Sequence, residues 1–251
     1  MHSKQNNVYR YKCDDLILPS VSTILKSDPK FKQAQKSRGF SNSRPGSARN
    51  QFSAERGSAV HSAARKFIRT GEVDLAAKYF PYWEGIHKQL TLLDLTDVEW
   101  AEGPVPPELK HLQQGEHSAV WNSKQMYVGC PDLVANVGGL RALVEFKTSD
   151  EMFMSTYDMD FKNYSNWWRY HQASMQTASY VKAYEQTTKH TIDVGLIVVA
   201  TRDDSQLFIL EQPQLKTALT KFHKLAKEFH MADNFTQPIQ TSSRKLQAVV
   251  V

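Results

Sequence analysis

Asp132, Glu145 and Lys147 are the residues whose types and spacing most directly suggest chemistry in this sequence. Between them lies Val137-Gly138-Gly139-Leu140, a Gly-Gly pair separating two apolar stretches. That is the signal for a tight hairpin whose two turn residues both need positive φ. With Gly138 and Gly139 as the loop, Val137 opposes Leu140, Ala135 opposes Ala142, and Asp132 faces Glu145. Side chains alternate along a strand, so Leu133, Ala135, Val137, Leu140, Ala142, Val144 and Phe146 form one wholly apolar face that must pack on a core. Asp132, Glu145 and Lys147 stand at the open end of the other face. Like charges opposed across a sheet are destabilising, so the carboxylate pair requires a cation. Lys147 is one candidate, and a hard divalent metal with oxygen ligands is another. The competing reading is an exposed ion-pair cluster that adds little to stability.

The elements that must position these residues are legible around them. Ser20 caps a short helix carrying Val21, Ile24 and Leu25, and Val60, Ala64, Phe67 and Ile68 mark a helix from Ala54 to about Thr70, closed by Gly71, with His61 at the edge of its stripe. Further helix is expected over 75–95 with a break or new start at Pro81, then a loop at 103–107. Strands are expected at 116–121, 126–128, 133–137 and 140–147, followed by a long helix at 164–185. A strand at 194–201, a turn at Asp203-Asp204, a strand at 207–210 and an amphipathic helix over 215–229 complete the pattern. The order favours one α/β domain over residues 1–251 with a central mixed sheet flanked by helices, ending in a loose tail from about 233.

Composition bounds the function. The 251 residues carry 31 Lys+Arg against 26 Asp+Glu, a net +5. Between Lys30 and Arg56 there are seven basic residues and one acid, so this segment contributes 7 − 1 = +6 and the remainder 5 − 6 = −1. Such a segment reads either as a solvated flexible loop or as a basic arm that tracks phosphates. Two cysteines, Cys13 and Cys130, exclude a four-cysteine zinc or iron–sulfur site and suit a reducing compartment. The sequence has no phosphate-binding G-x-x-x-x-G-K-[ST], no H-E-x-x-H and no G-x-S-x-G. It has no apolar run long enough to span a membrane, and MHSKQNNVYR is not a targeting signal, which leads us to expect a cytoplasmic protein of a bacterial or phage-infected cell.

Pro131-Asp132, twelve residues, then Glu145-Phe146-Lys147 resembles the PD-(D/E)xK nuclease signature of the restriction-endonuclease-like fold. Three further pieces occur in order: Arg56-Gly57-Ser58-Ala59-Val60-His61, Tyr127-Val128-Gly129, and Gln176-Thr177-Ala178-Ser179-Tyr180. Together they resemble the RecB-like exonuclease branch, and with Leu18 to Leu25 they are most similar to the mitochondrial genome maintenance exonuclease and its phage relatives. The chain departs from the branch members that carry a four-cysteine iron–sulfur staple, and it has no helicase motif.

The resemblance implies a metal-dependent exonuclease acting on DNA ends, preferring single strands, in phage DNA metabolism, recombination or repair. Asp132, Glu145, the Phe146 carbonyl and a neutral His61 would hold Mg²⁺ or Mn²⁺, with Lys147 orienting a water. Gln176 and Tyr180, with Gln172 on the same side of the helix, would border the site and contact the DNA backbone. Glu116 could reach the metal or its water. Trp167 or Tyr170 could stack on unpaired bases with Arg169 on a phosphate, whereas Trp168 is expected to be buried, and Arg56 belongs to the basic segment leading to the site. A single-strand-binding or recombination protein would be a fitting partner. Alternatives are a flap or junction endonuclease of the same fold, or a nucleic-acid-binding module without chemistry.

Overall fold

The Gly138-Gly139 turn forms as its residues require, with φ of +58° and +85°, and Asn136 Oδ1 accepts a hydrogen bond from the Gly139 N–H at 2.8 Å. The strands on either side pair antiparallel with Leu133 opposite Val144, Ala135 opposite Ala142 and Val137 opposite Leu140. This is the register that the turn predicts.

The computed structural model describes residues 9–13, 16–31, 33, 48–101, 113–114, 117–156, 164–232 and 248–250. Its strands are β1 (Tyr9–Cys13), β2 (Leu16–Pro19), β3 (Thr96–Ala101), β4 (Gln113–Gln114), β5 (His117–Ser118), β6 (Val120–Asn122), β7 (Tyr127–Gly129), β8 (Leu133–Val137), β9 (Leu140–Thr148), β10 (Val194–Ala200), β11 (Ser205–Leu210) and β12 (Ala248–Val250). The helices are α1 (Val21–Ser27), α2 (Ala48–Thr70), α3 (Phe80–Leu93), α4 (Tyr164–Thr188) and α5 (Gln212–Ala232). No helix among the described residues is long and apolar enough to cross a membrane.

The central sheet has five strands in the order β11-β10-β9-β8-β3. β9 and β10 are parallel, joined through α4, while the outer pairings are antiparallel. This is the mixed α/β architecture expected from the order of elements. Every residue of β10 is buried, which explains why its sequence is a continuous apolar run rather than an alternation.

Helices cover both faces. On one, Val60 and Ala64 of α2 with Trp83, Ile86 and Leu90 of α3 pack on Leu133, Ala135, Ala142, Val144 and Phe146. On the other, α1, α4 and α5 bury Val134 and Leu143 with Trp100, Tyr184 and Phe222. Each fully buried Val, Leu, Ile or Phe among them stabilises the fold by about 1.5–3 kcal/mol. The apolar face of the hairpin is therefore core, except at its tip, where Leu140 is exposed.

Several boundaries differ from the sequence expectation. α2 begins at Ala48, so the last part of the basic segment is helical rather than a flexible loop. Pro81 starts α3 as its first-turn proline, where its missing N–H costs nothing. The strand expected at 116–121 is split at Ala119 into β5 and β6. β3 was not anticipated; its register is interrupted between Thr96 and Trp100 and Asp97 has φ of +44°, which hides the two-residue period. Nor was β12, which pairs with β1 where a loose tail was expected. Ser20 caps α1 as read, accepting from the Thr23 N–H at 3.1 Å.

Candidate active site

The second sheet face turns from apolar to acidic at one end of the hairpin, and the structure decides how wet that end is. Asp132 is 7% and Glu145 2% exposed. The exposed ion-pair reading is thereby excluded, because two carboxylates under helices require partners of real strength.

Asp132 has them. Its Oδ1 pairs with His61 Nδ1 at 2.9 Å, and its Oδ2 accepts the Phe146 backbone N–H at 2.8 Å. Burial pushes its pKa up, but the His61 charge and hydrogen bond outweigh this, with Lys147 assisting, and hold it down at about 2. Glu145 is the opposite case. Burial, reinforced by the Asp132 charge, raises its pKa well above the ordinary range. Its Oε1 accepts from Lys147 Nζ at 3.2 Å, but its buried Oε2 has no hydrogen-bond partner. An orphaned buried carboxylate oxygen beside a second carboxylate is a donor waiting for a cation.

Each element contributes one part. α2 brings His61, whose ring also meets the Phe146 ring edge-on at 6.2 Å between centroids. β9 supplies Glu145 and Lys147 from one face, and the residue preceding β8 supplies Asp132. α4 closes the site with Gln176 and Tyr180, joined by a hydrogen bond from Gln176 Nε2 to Tyr180 Oη at 2.9 Å. Burial and then the Glu145 charge keep the Tyr180 phenol neutral, with a pKa well above ordinary. Gly129 is the residue that admits this ring: a Cβ there would lie 2.1 Å from Tyr180 Cε1. The sequence displayed Gly129 but not this reason for it.

Hard oxygen donors, an orphaned buried oxygen and a nearby lysine fit Mg²⁺ or Mn²⁺, ions that keep waters and take only one or two protein carboxylates. Among the described residues no three or more His, Cys, Asp and Glu side chains form a ready-made metal cluster. His61 stands beside the pair, in contact with Asp132 through Nδ1.

The other expected residues fall elsewhere. Arg56 is 2% exposed and donates to Thr148 Oγ1 at 3.2 Å, to Tyr82 Oη at 3.1 Å and to Asp150 Oδ1 at 2.5 Å. This corrects the basic-arm reading for Arg56: its guanidinium fastens α2 to the chain leaving β9. Arg169 is likewise turned inward, onto Ser149 Oγ and over the Phe153 ring at 4.5 Å. Trp167 and Tyr170 are half-buried, Trp167 against His171 and Tyr170 against Phe208 at 4.9 Å, so each ring already has one aromatic neighbour. Trp168 is buried, as expected. Gln172 lies one helical turn before Gln176 and is half-buried. Glu116 lies outside the described residues, as do Lys32, Lys36, Arg38 and Arg44.

No protein-family model and no curated protein matches this chain. Solved structures do. One, of a candidate exonuclease from Eubacterium rectale, is 15% identical with a TM-score of 0.46, covering 88% of this chain and 83% of that one. Another, of the protein SSO0001, is 12% identical with a TM-score of 0.30, covering 88% of both chains. Likeness at that level carries no argument about activity, which rests on the site itself.

Proposed function

We propose that the protein is a metal-dependent deoxyribonuclease of the PD-(D/E)xK type that removes nucleotides from DNA strand ends, preferring single strands. The observation that carries this is the buried Asp132–Glu145 pair, with Glu145 Oε2 unpartnered and Lys147 Nζ 3.2 Å from Oε1. A bound Mg²⁺ or Mn²⁺ would polarise the scissile phosphate and lower the pKa of a coordinated water. Asp132, fixed by His61 and the Phe146 N–H, and Glu145 would hold that ion, with the Phe146 carbonyl as a further oxygen donor. Lys147, partly open to solvent at 22% side-chain exposure, would orient the attacking water and stabilise charge developing on the phosphate oxygens. Gln176 and Tyr180 would present neutral donors to the strand.

The test is digestion of end-labelled linear single strands, duplexes and closed single-stranded circles with Mg²⁺, Mn²⁺ or chelator. Cleavage should require the metal, and Asp132→Ala and Lys147→Ala should abolish it while circular dichroism shows the fold retained. Wild-type rates in either variant overturn the assignment. Cutting of closed circles would replace an exonuclease with an endonuclease.

A further inference from the structure

Away from the carboxylate pair, a cavity of about 400 Å³ opens where the end of α1, the first half of α4 and the second half of α5 meet. Its volume falls in the range of about 300–1,000 Å³ typical of small-molecule sites. Its walls combine two chemistries: Trp167, Trp168 and His171 supply flat aromatic surface, and Lys30, Lys221 and Lys224 supply positive charge. Trp167 and His171 meet edge-on at 4.3 Å between centroids, and Lys30 Nζ lies 5.8 Å from the centre of the Trp168 ring. Two acids, Asp28, which accepts the Lys30 N–H at 2.8 Å, and Glu228, face these three lysines, so the lining keeps a net charge of 3 − 2 = +1.

Two further facts point to an absent ligand. Trp168 is 4% exposed and its indole N–H has no hydrogen-bond partner. Leaving such a donor unpaired costs about 1–3 kcal/mol, and the exposed Lys30 ammonium lies over the same indole. Burial, with the charges of Lys221 and Lys30, lowers the His171 pKa to about 4, so the cavity carries positive potential without a protonated histidine. A second cavity of about 300 Å³ shares His171, Met175 and Lys221 with the first and leads on past Tyr170.

We propose that this cavity binds a nucleotide unit, its base against Trp167 and His171, its phosphate on Lys221 and Lys224, and the Trp168 N–H donating to an acceptor of the ligand. It is a binding site apart from the metal site; only the choice of a deoxynucleotide over other anionic aromatics rests on the nuclease reading. The unit could be a free mononucleotide or part of a strand that extends into the second cavity.

Tryptophan fluorescence of the intact chain in chelator, which silences the metal site, distinguishes these. Titration with deoxyadenosine monophosphate should saturate, with deoxyadenosine or inorganic phosphate alone binding at least about tenfold more weakly. Trp168→Phe, which keeps an aromatic ring and removes the donor, should weaken binding about tenfold. Lys221→Glu, an exposed change that does not depend on the core, should reduce the mononucleotide to the affinity of the nucleoside. Tighter binding of the dinucleotide assigns the site to a strand; equal affinity assigns it to a free nucleotide. Absence of saturation, or unchanged affinity in both variants, overturns the proposal whatever the cleavage assay gives. Saturation with both variants impaired, in a protein that cleaves nothing, keeps the cavity and removes the nuclease reading.

Discussion

Glu145 is the residue at which stability and the proposed chemistry pull apart. Its folded-state pKa is raised by burial and by Asp132, so its ionised form costs stability that is progressively lost as pH rises through that folded value. Glu145→Gln keeps the shape and removes the penalty. In chelator at neutral pH this variant should melt above wild type by calorimetry, yet cleave no DNA; a lower melting temperature would mean that Glu145 is already compensated without a metal. Adding Mg²⁺ should raise the wild-type melting temperature and leave that of Glu145→Gln unmoved. Gly129 makes a second residue-scale case. A methyl group 2.1 Å from the Tyr180 ring must displace that ring, so Gly129→Ala should cost about 1–3 kcal/mol in urea unfolding. Because Tyr180 sits beside Glu145, the variant should also lower kcat. Gly129→Ala combined with Tyr180→Leu should recover the stability but not the rate.

At the scale of elements, the site depends on how α2 is held to the end of β9. Arg56 does this with three hydrogen bonds to Thr148, Tyr82 and Asp150 and stacks over Tyr82 at 4.4 Å. Five residues later the same helix delivers His61 to Asp132. Arg56→Ala should therefore cost about 2–3 kcal/mol, toward the lower end for a broken buried pair because Asp150 keeps part of its hydration. Arg56→Lys should not restore it, since a point charge cannot serve three diverging acceptors. Urea denaturation of both variants checks this; full stability in Arg56→Lys would show that charge alone, not the fork, holds the helix. The chain after β9 is braced similarly, by Arg169 on Ser149 and Asn166 Nδ2 on Glu151 at 2.7 Å.

For the whole molecule, the distribution of charge matters more than its sum. The segment from Lys30 to Arg56 holds 7 − 1 = +6 while the remainder is −1, and with Arg56 buried the basic residues left to meet a strand are those before it. Replacing Lys32, Lys36, Arg38 and Arg44 together by Gln should weaken binding of single-stranded DNA and flatten its dependence on log salt by up to about 3 units of slope. Filter binding across a salt series, in chelator, reads this; an unchanged slope would place the phosphate contacts elsewhere, with the lysines of the α4–α5 cavity the next to test.

The sequence by itself determined the hairpin, its register, the helices around it and the meeting of Asp132 with Glu145. These follow from local rules: a Gly-Gly turn that needs positive φ, a two-residue alternation and a helical period. It did not determine which helices cover which face, and Val134 and Leu143 become core because α4 and α5 are the ones that pack over them. That long-range packing is what buries the acids and turns an ion-pair cluster into a site with an orphaned oxygen. The inward roles of Arg56 and Arg169 were hidden for the same reason. Whether a guanidinium meets solvent or a carboxylate many residues away depends on which elements lie above it, and only the tertiary structure decides that.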